Sequence, residues 1–162
     1  MNKVINIVIA GLGGQGVIKA SDIVADAAFR AGHDVKKAEV HGMSQRGGSV
    51  TTDVRFGEHV LSPMVSRGCA DFLVVLEETQ IEPNRPYLGP HGVLLPISAV
   101  DVLRLPSPKT ANTAMIGLLS TYLDIAEPVW QAALRAAFPA KLLAMNEQAF
   151  AYGRECGSKA AT

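Results

Sequence analysis

The feature that most constrains this chain is a junction near its start. A short apolar run at residues 5–10 passes directly into Gly11-Leu12-Gly13-Gly14-Gln15-Gly16, and apolar residues then recur at helical spacing. A brief run rich in β-branched residues reads as a strand buried on both faces, which is the habit of parallel sheets. The glycines allow a tight strand-to-helix turn. Val17, Ala20, Ile23, Val24, Ala27 and Ala28 then mark one face of a helix that Gly32 ends. Residues 34–40 supply a second strand, so the opening is a β-α-β unit and the fold class is α/β.

The pattern changes after that unit. Residues 41–48 form a polar, glycine-rich loop. Val50, Thr52, Val54 and Phe56 alternate with Thr51, Asp53 and Arg55, which predicts a half-exposed strand. Gly57-Glu58 suits a tight turn, and residues 59–65 are expected to return as the second arm of an inserted β-hairpin. Core strands follow at 71–76 and 92–97, then an irregular proline-bearing stretch at 100–110. The last third reads as three helices, at 112–123, from Glu127-Pro128 to Phe138-Pro139, and at 141–153. Residues 1–156 thus form one domain, a mainly parallel sheet flanked by helices on both faces, with 157–162 as a frayed tail.

Composition excludes several partners. Fifteen lysines and arginines balance fifteen aspartates and glutamates among 162 residues. A neutral chain argues against nucleic acid as the main partner and against a polybasic membrane anchor, since both call for an excess of cations. No segment reaches the roughly 18 apolar residues of a membrane span. The short N-terminal run leads into a glycine turn and not a cleavage site, so it is read as a strand and not a signal peptide. Cys69 and Cys156 are too few and too far apart to build an iron–sulfur or zinc site unless another chain contributes ligands. No metal site is expected, and a reducing cytoplasm is the simplest compartment.

Two motifs could carry chemistry. Gly11, Gly13 and Gly16 match the dinucleotide fingerprint, with Glu39 near the end of the second strand as the expected ribose carboxylate. Gln15, beside Gly14, could donate to a phosphate or to a partner backbone. Against a dinucleotide site stands the hairpin, where a second β-α-β half would be needed. The other motif is His41-Gly42-Met43-Ser44-Gln45-Arg46-Gly47-Gly48. Arg46 suits bidentate binding of carboxylate or phosphate, and His41 suits proton transfer or substrate orientation. Asn112 reads as a helix cap, Trp130 as core, and Glu77-Glu78 as a solvated strand end.

The stretches Val8 to Val17 and Glu39 to Val50 closely resemble the gamma-type domain of 2-oxoacid:acceptor (ferredoxin) oxidoreductases. The run Glu39-Val40-His41-Gly42-Met43-Ser44-Gln45-Arg46-Gly47-Gly48 is most similar to the small beta subunit of indolepyruvate:ferredoxin oxidoreductase, which is a gamma-type domain alone. The resemblance implies oxidative decarboxylation of an aryl 2-oxoacid to an acyl-CoA, with coenzyme A as co-substrate and ferredoxin as acceptor. It implies that thiamine diphosphate and iron–sulfur clusters sit in a larger partner chain, that this chain binds no cofactor alone, and that the product is a hetero-oligomer. Arg46 and its loop would face the partner's active-site mouth, with Gly13 to Gly16 near the partner surface. The family's longer members would carry a further strand and helix between Ile97 and Asn112. The readings left open are a stand-alone NAD(P)- or flavin-binding oxidoreductase and a non-catalytic interaction subunit.

Overall fold

In the computed structural model, which describes residues 3–41 and 47–160, the opening run becomes the central strand of a five-stranded sheet. Strand β1 spans Ile5–Leu12, β2 Asp34–His41, β3 Ser49–Gly57, β4 Ala70–Val75 and β5 Leu88–Pro96, in the order β2-β3-β1-β4-β5. Ile7, Val8, Ile9 and Ala10 are wholly buried, as a strand covered on both faces must be. β4 and β5 run parallel to β1 and to each other, while β3 is antiparallel to both β1 and β2. Four strands therefore share one direction and β3 alone opposes them.

Helix α1 spans Val17–Arg30, the single turn α2 Ile81–Asn84, α3 Ala111–Ser120, α4 Glu127–Ala137 and α5 Ala140–Ala160. The apolar stripe read from the sequence is the buried face of α1. Its end is a Schellman closure: Gly32 N–H bonds Phe29 O at 3.0 Å and His33 N–H bonds Ala28 O at 3.1 Å, with Gly32 at φ 93°. Ile7, Ile9, Val54, Phe56 and Val74 form one core with α1, α3, α4 and α5. Trp130 is wholly buried there, beside Phe150.

Three expectations need correction. All four long helices lie on one face of the sheet, and only the single turn α2 represents helix on the other, where among the described residues Val8, Leu73 and Val75 pack with Val65, Ala70 and partly buried Ile81, Tyr87, Leu88 and Leu94. The antiparallel insertion exists, but β3 pairs with β2 across the polar loop, and residues 58–69 contain no strand. That segment is instead a strap hung on side chains. Asp34 accepts from Val60 N–H at 2.8 Å, Arg55 donates to Ser62 O at 2.7 Å, and Asp53 accepts from Val65 N–H at 2.8 Å. Pro63 and these competing polar groups explain why no ladder forms. Finally, α5 continues past Gly157 to Ala160, where a frayed tail is expected. Gly117 and Gly153 let α3 and α5 touch backbone to backbone: a Cβ on Gly153 would overlap Ala114 O, and one on Gly117 would overlap Phe150 O.

The proline-bearing stretch holds three short 3-10 turns, Ile97–Ala99, Val102–Arg104 and Pro108–Thr110, in place of a further strand and helix. Asp101 N–H bonds the Tyr152 hydroxyl at 3.1 Å, and the Arg104 guanidinium lies 4.8 Å from that ring's centre. These contacts fix the stretch to α5. Cys69 and Cys156 are free thiols, and among the described residues no helix is long and apolar enough to cross a membrane.

Candidate functional site

The two glycine-rich motifs meet. Leu12 ends β1 opposite Ser49, the first residue of β3. Gly13 N–H then bonds Gly48 O at 2.8 Å, and Gly13 lies against the Gly47 backbone. Gly11 is paired with Val50 inside the sheet, whereas Gly13 and Gly14 are exposed on the turn. Gly16, at φ 77°, is the N-cap of α1 and has no side chain with which to cap the first-turn amides.

Gln15, whose amide could donate to a phosphate or to a partner backbone, is engaged within the turn itself. Its Oε1 accepts from Leu12 N–H at 2.7 Å and its Nε2 donates to Glu77 Oε2 at 3.0 Å. The side chain cross-braces the turn from inside and ties it to the segment following β4. Glu77 is half-buried and engaged, so it is a structural member of the turn and not a solvated strand end.

A cavity of about 620 Å³ opens beside the turn. Gly14, Gln15 and Gly16 form one wall, Leu76, Ile97, Val102 and Pro108 supply apolar surface, and Lys109, Ala111 and Asn112 close it at the start of α3. Its size is that of an ordinary small-molecule site, mostly apolar with a few convergent polar groups. Two helix starts and one lysine give it a positive bias. A second hollow of about 390 Å³ lies on the other side of the turn, between Gly13, Val17, Lys19, His41 and Val50. The Lys19 ammonium itself donates to Ala137 O, at the end of α4, at 3.1 Å.

His41 is the last residue of β2 and is exposed, with Nε2 3.6 Å from Glu39 Oε2. Glu39 also accepts from Lys37 Nζ at 2.8 Å, and that ammonium holds its carboxyl below the usual range. Lys37 in turn pairs with Asp22 on α1. Because β3 stands between β1 and β2, Glu39 is two strand spacings from β1, roughly 10 Å. The ribose carboxylate of a dinucleotide site belongs on the adjacent strand, so the apparent fingerprint is not assembled here. Gly47 and Gly48 adjoin the turn, as described. Gly42, Met43, Ser44, Gln45 and Arg46 lie outside the described residues. No motif marks Lys109, Asn112 or Glu77, and only the tertiary fold brings them to the glycine turn.

A profile of the family described as pyruvate ferredoxin/flavodoxin oxidoreductase matches residues 6–108. The chain belongs to that family. Within the pyruvate ferredoxin/flavodoxin oxidoreductase family it is similar to indolepyruvate oxidoreductase subunit IorB of Thermococcus kodakarensis, 45% identical over 104 residues. Those residues are 62% of this chain and 52% of that protein, so the chain spans about half the length of that curated relative. Two solved structures share the fold. One is the gamma subunit of a keto/oxoacid ferredoxin oxidoreductase from Geobacter sulfurreducens, with a TM-score of 0.80, 20% identity and 98% coverage of both chains. The other is a 2-oxoglutarate:ferredoxin oxidoreductase from Magnetococcus marinus with 2-oxoglutarate, coenzyme A and succinyl-CoA bound. Its TM-score is 0.82 at 22% identity, covering 98% of this chain and 32% of that one. The family's match contains both glycine motifs and ends just before α3.

Proposed function

We propose that this chain is the small subunit of a cytoplasmic 2-oxoacid:ferredoxin oxidoreductase acting on indolepyruvate or another aryl 2-oxoacid. The single observation that carries the reading is the joining of the two glycine motifs at Gly13 and Gly48, beside a cavity that holds Lys109 and two helix starts. The named relatives support it. A larger partner would carry thiamine diphosphate and iron–sulfur clusters. The overall reaction oxidises the 2-oxoacid with loss of carbon dioxide, joins the acyl group to coenzyme A, and delivers two electrons to ferredoxin. Thiamine diphosphate supplies the decarboxylation when bound in that partner.

The part of this chain is binding and orientation. The loop His41–Gly48 is anchored by Gly13 and would present Arg46 to a carboxylate or a phosphate, the two anionic ends of the reactants. His41 stands exposed at the same strand ends and would orient the substrate or move a proton there. Coenzyme A fits the mixed lining of the cavity, with apolar walls for its body and helix starts for its phosphates. The test is co-expression with a larger, cysteine-rich, thiamine-binding chain. The expected result is a complex on size-exclusion chromatography that reduces ferredoxin with indolepyruvate and coenzyme A. A chain that elutes alone, with no such activity in any fraction, would overturn the reading.

A further inference from the structure

A buried polar line runs from the glycine turn into the C-terminal helices. Asn112, on the first turn of α3, donates from Nδ2 to Gly16 O at 3.2 Å and accepts at Oδ1 from Thr113 N–H at 2.9 Å. The two contacts fix which end of the carboxamide is which, since one partner only accepts and the other only donates. The Thr113 hydroxyl donates to Asn146 Oδ1 at 2.8 Å, and Asn146 Nδ2 donates to Leu142 O at 2.9 Å on α5. Asn112 is 6% exposed, Thr113 fully buried and Asn146 5% exposed. Each side-chain group in this line has a protein partner, and polar groups in such surroundings are costly to leave without one.

The contact at Gly16 is steric as well as polar. A Cβ on Gly16 would overlap the Asn112 carboxamide, so the two residues fit only because the N-cap is glycine. Gly16 O also accepts from Ala20 N–H at 2.9 Å, the first hydrogen bond of α1. Asn112 therefore grips the carbonyl that starts α1 and holds the turn against α3 across the floor of the larger cavity.

We propose that Asn112 is a positioning residue for the glycine-rich turn, and that α5 controls its orientation through Asn146 and Thr113. The cavity beside Gly14–Gly16 then depends on helices outside the matched stretch 6–108. The kinetic consequence rests on the oxidoreductase reading; the effect on the turn does not.

The informative variant is Asn112→Asp. It keeps size and the acceptor for Thr113 N–H, and a carboxylate near a helix start is favourable, so α3 should fold. It removes the donor to Gly16 O. Hydrogen exchange on the purified full chain should show amides 13–18 opening at least about three- to tenfold faster, from one lost hydrogen bond plus the repulsion of a carboxylate oxygen against Gly16 O, with β1 and β4 amides unchanged. In the assembled enzyme the KM for coenzyme A should rise by a similar factor while kcat stays within about twofold. Asn146→Ala should speed exchange at the same amides, to a smaller degree. Wild-type exchange at 13–18 in Asn112→Asp overturns the proposal, as does a lowered Tm with uniformly faster exchange. A wild-type complex with no 2-oxoacid activity refutes the functional reading alone, and the exchange measurement still decides this one.

Discussion

Replacing Gln15 by glutamate isolates the brace under the glycine turn. Gln15→Glu keeps an oxygen for Leu12 N–H, now accepted at 2.7 Å, but sets a second carboxylate against Glu77 Oε2, where a donor stands at 3.0 Å. Two like charges about 4 Å apart repel by roughly 1 kcal/mol in water and roughly 4 kcal/mol at an effective dielectric of about 20. Both residues are half-buried, so the lower half of that range applies. Adding about 1 kcal/mol for the lost hydrogen bond gives roughly 2–3 kcal/mol at neutral pH. In urea that is a midpoint shift of about 1 M for a typical slope. The sign with pH follows from linkage. The facing carboxyls of the variant bind a proton more readily when folded than when unfolded, so the penalty is full at neutral pH. It shrinks as pH falls toward the ordinary carboxylate value near about 4.3, where a shared proton restores a hydrogen bond. Urea midpoints at pH 7.5 and pH 5 measure this, with Gln15→Ala as a control lacking the acid recovery. The swap Gln15→Glu with Glu77→Gln should recover wild-type stability, because the donor is merely moved to the other side. A penalty that ignores pH, or a double variant no better than the single one, would show that Gln15 does not brace the turn through Glu77.

Other expectations concern separate parts of the molecule. Gly153→Ala should lower stability by about 1–3 kcal/mol, a Tm fall of a few degrees or more, because the methyl would drive α5 off α3; helix propensity alone predicts a gain of about 1 kcal/mol, so calorimetry reads the sign directly. Burial raises the Asp53 carboxyl above its usual range, so its folded form holds a proton longer than its unfolded form. Wild-type stability should therefore lose a contribution as pH rises from the usual aspartate value toward the raised one. Asp53→Asn, which keeps an acceptor for Val65 N–H, should be as stable as wild type or more so at pH 7 and should lack that slope in thermal melts across pH 3–7. Arg46→Ala in the assembled enzyme should weaken the KM for coenzyme A or for the 2-oxoacid roughly ten- to a hundredfold and leave assembly intact; poor assembly with normal kinetics would make it an interchain contact only. Titration calorimetry of the isolated chain with NAD, NADP or FAD should show no micromolar binding, and such binding would favour the stand-alone oxidoreductase.

Local pattern determined a good deal about this protein. The run at residues 5–10, the glycine turn and the α1 stripe are contiguous, and period, turn chemistry and capping act within a few residues of one another. Trp130 as core and the helical last third follow from the same short-range rules. The resemblance carried by residues 8–17 and 39–50 pointed to the family that the match over 6–108 establishes. Tertiary structure alone decided where β3 inserts. The alternation at 50–56 marks a strand without naming its neighbour, and insertion between β1 and β2 is what removes Glu39 from the glycine turn. It also decided that residues 58–69 hang on Asp34, Asp53 and Arg55, and that Glu77 and Asn112 belong to the turn. Those contacts join residues as much as 96 positions apart. No local preference encodes them, because each depends on a geometry that exists only after the sheet and helices have packed.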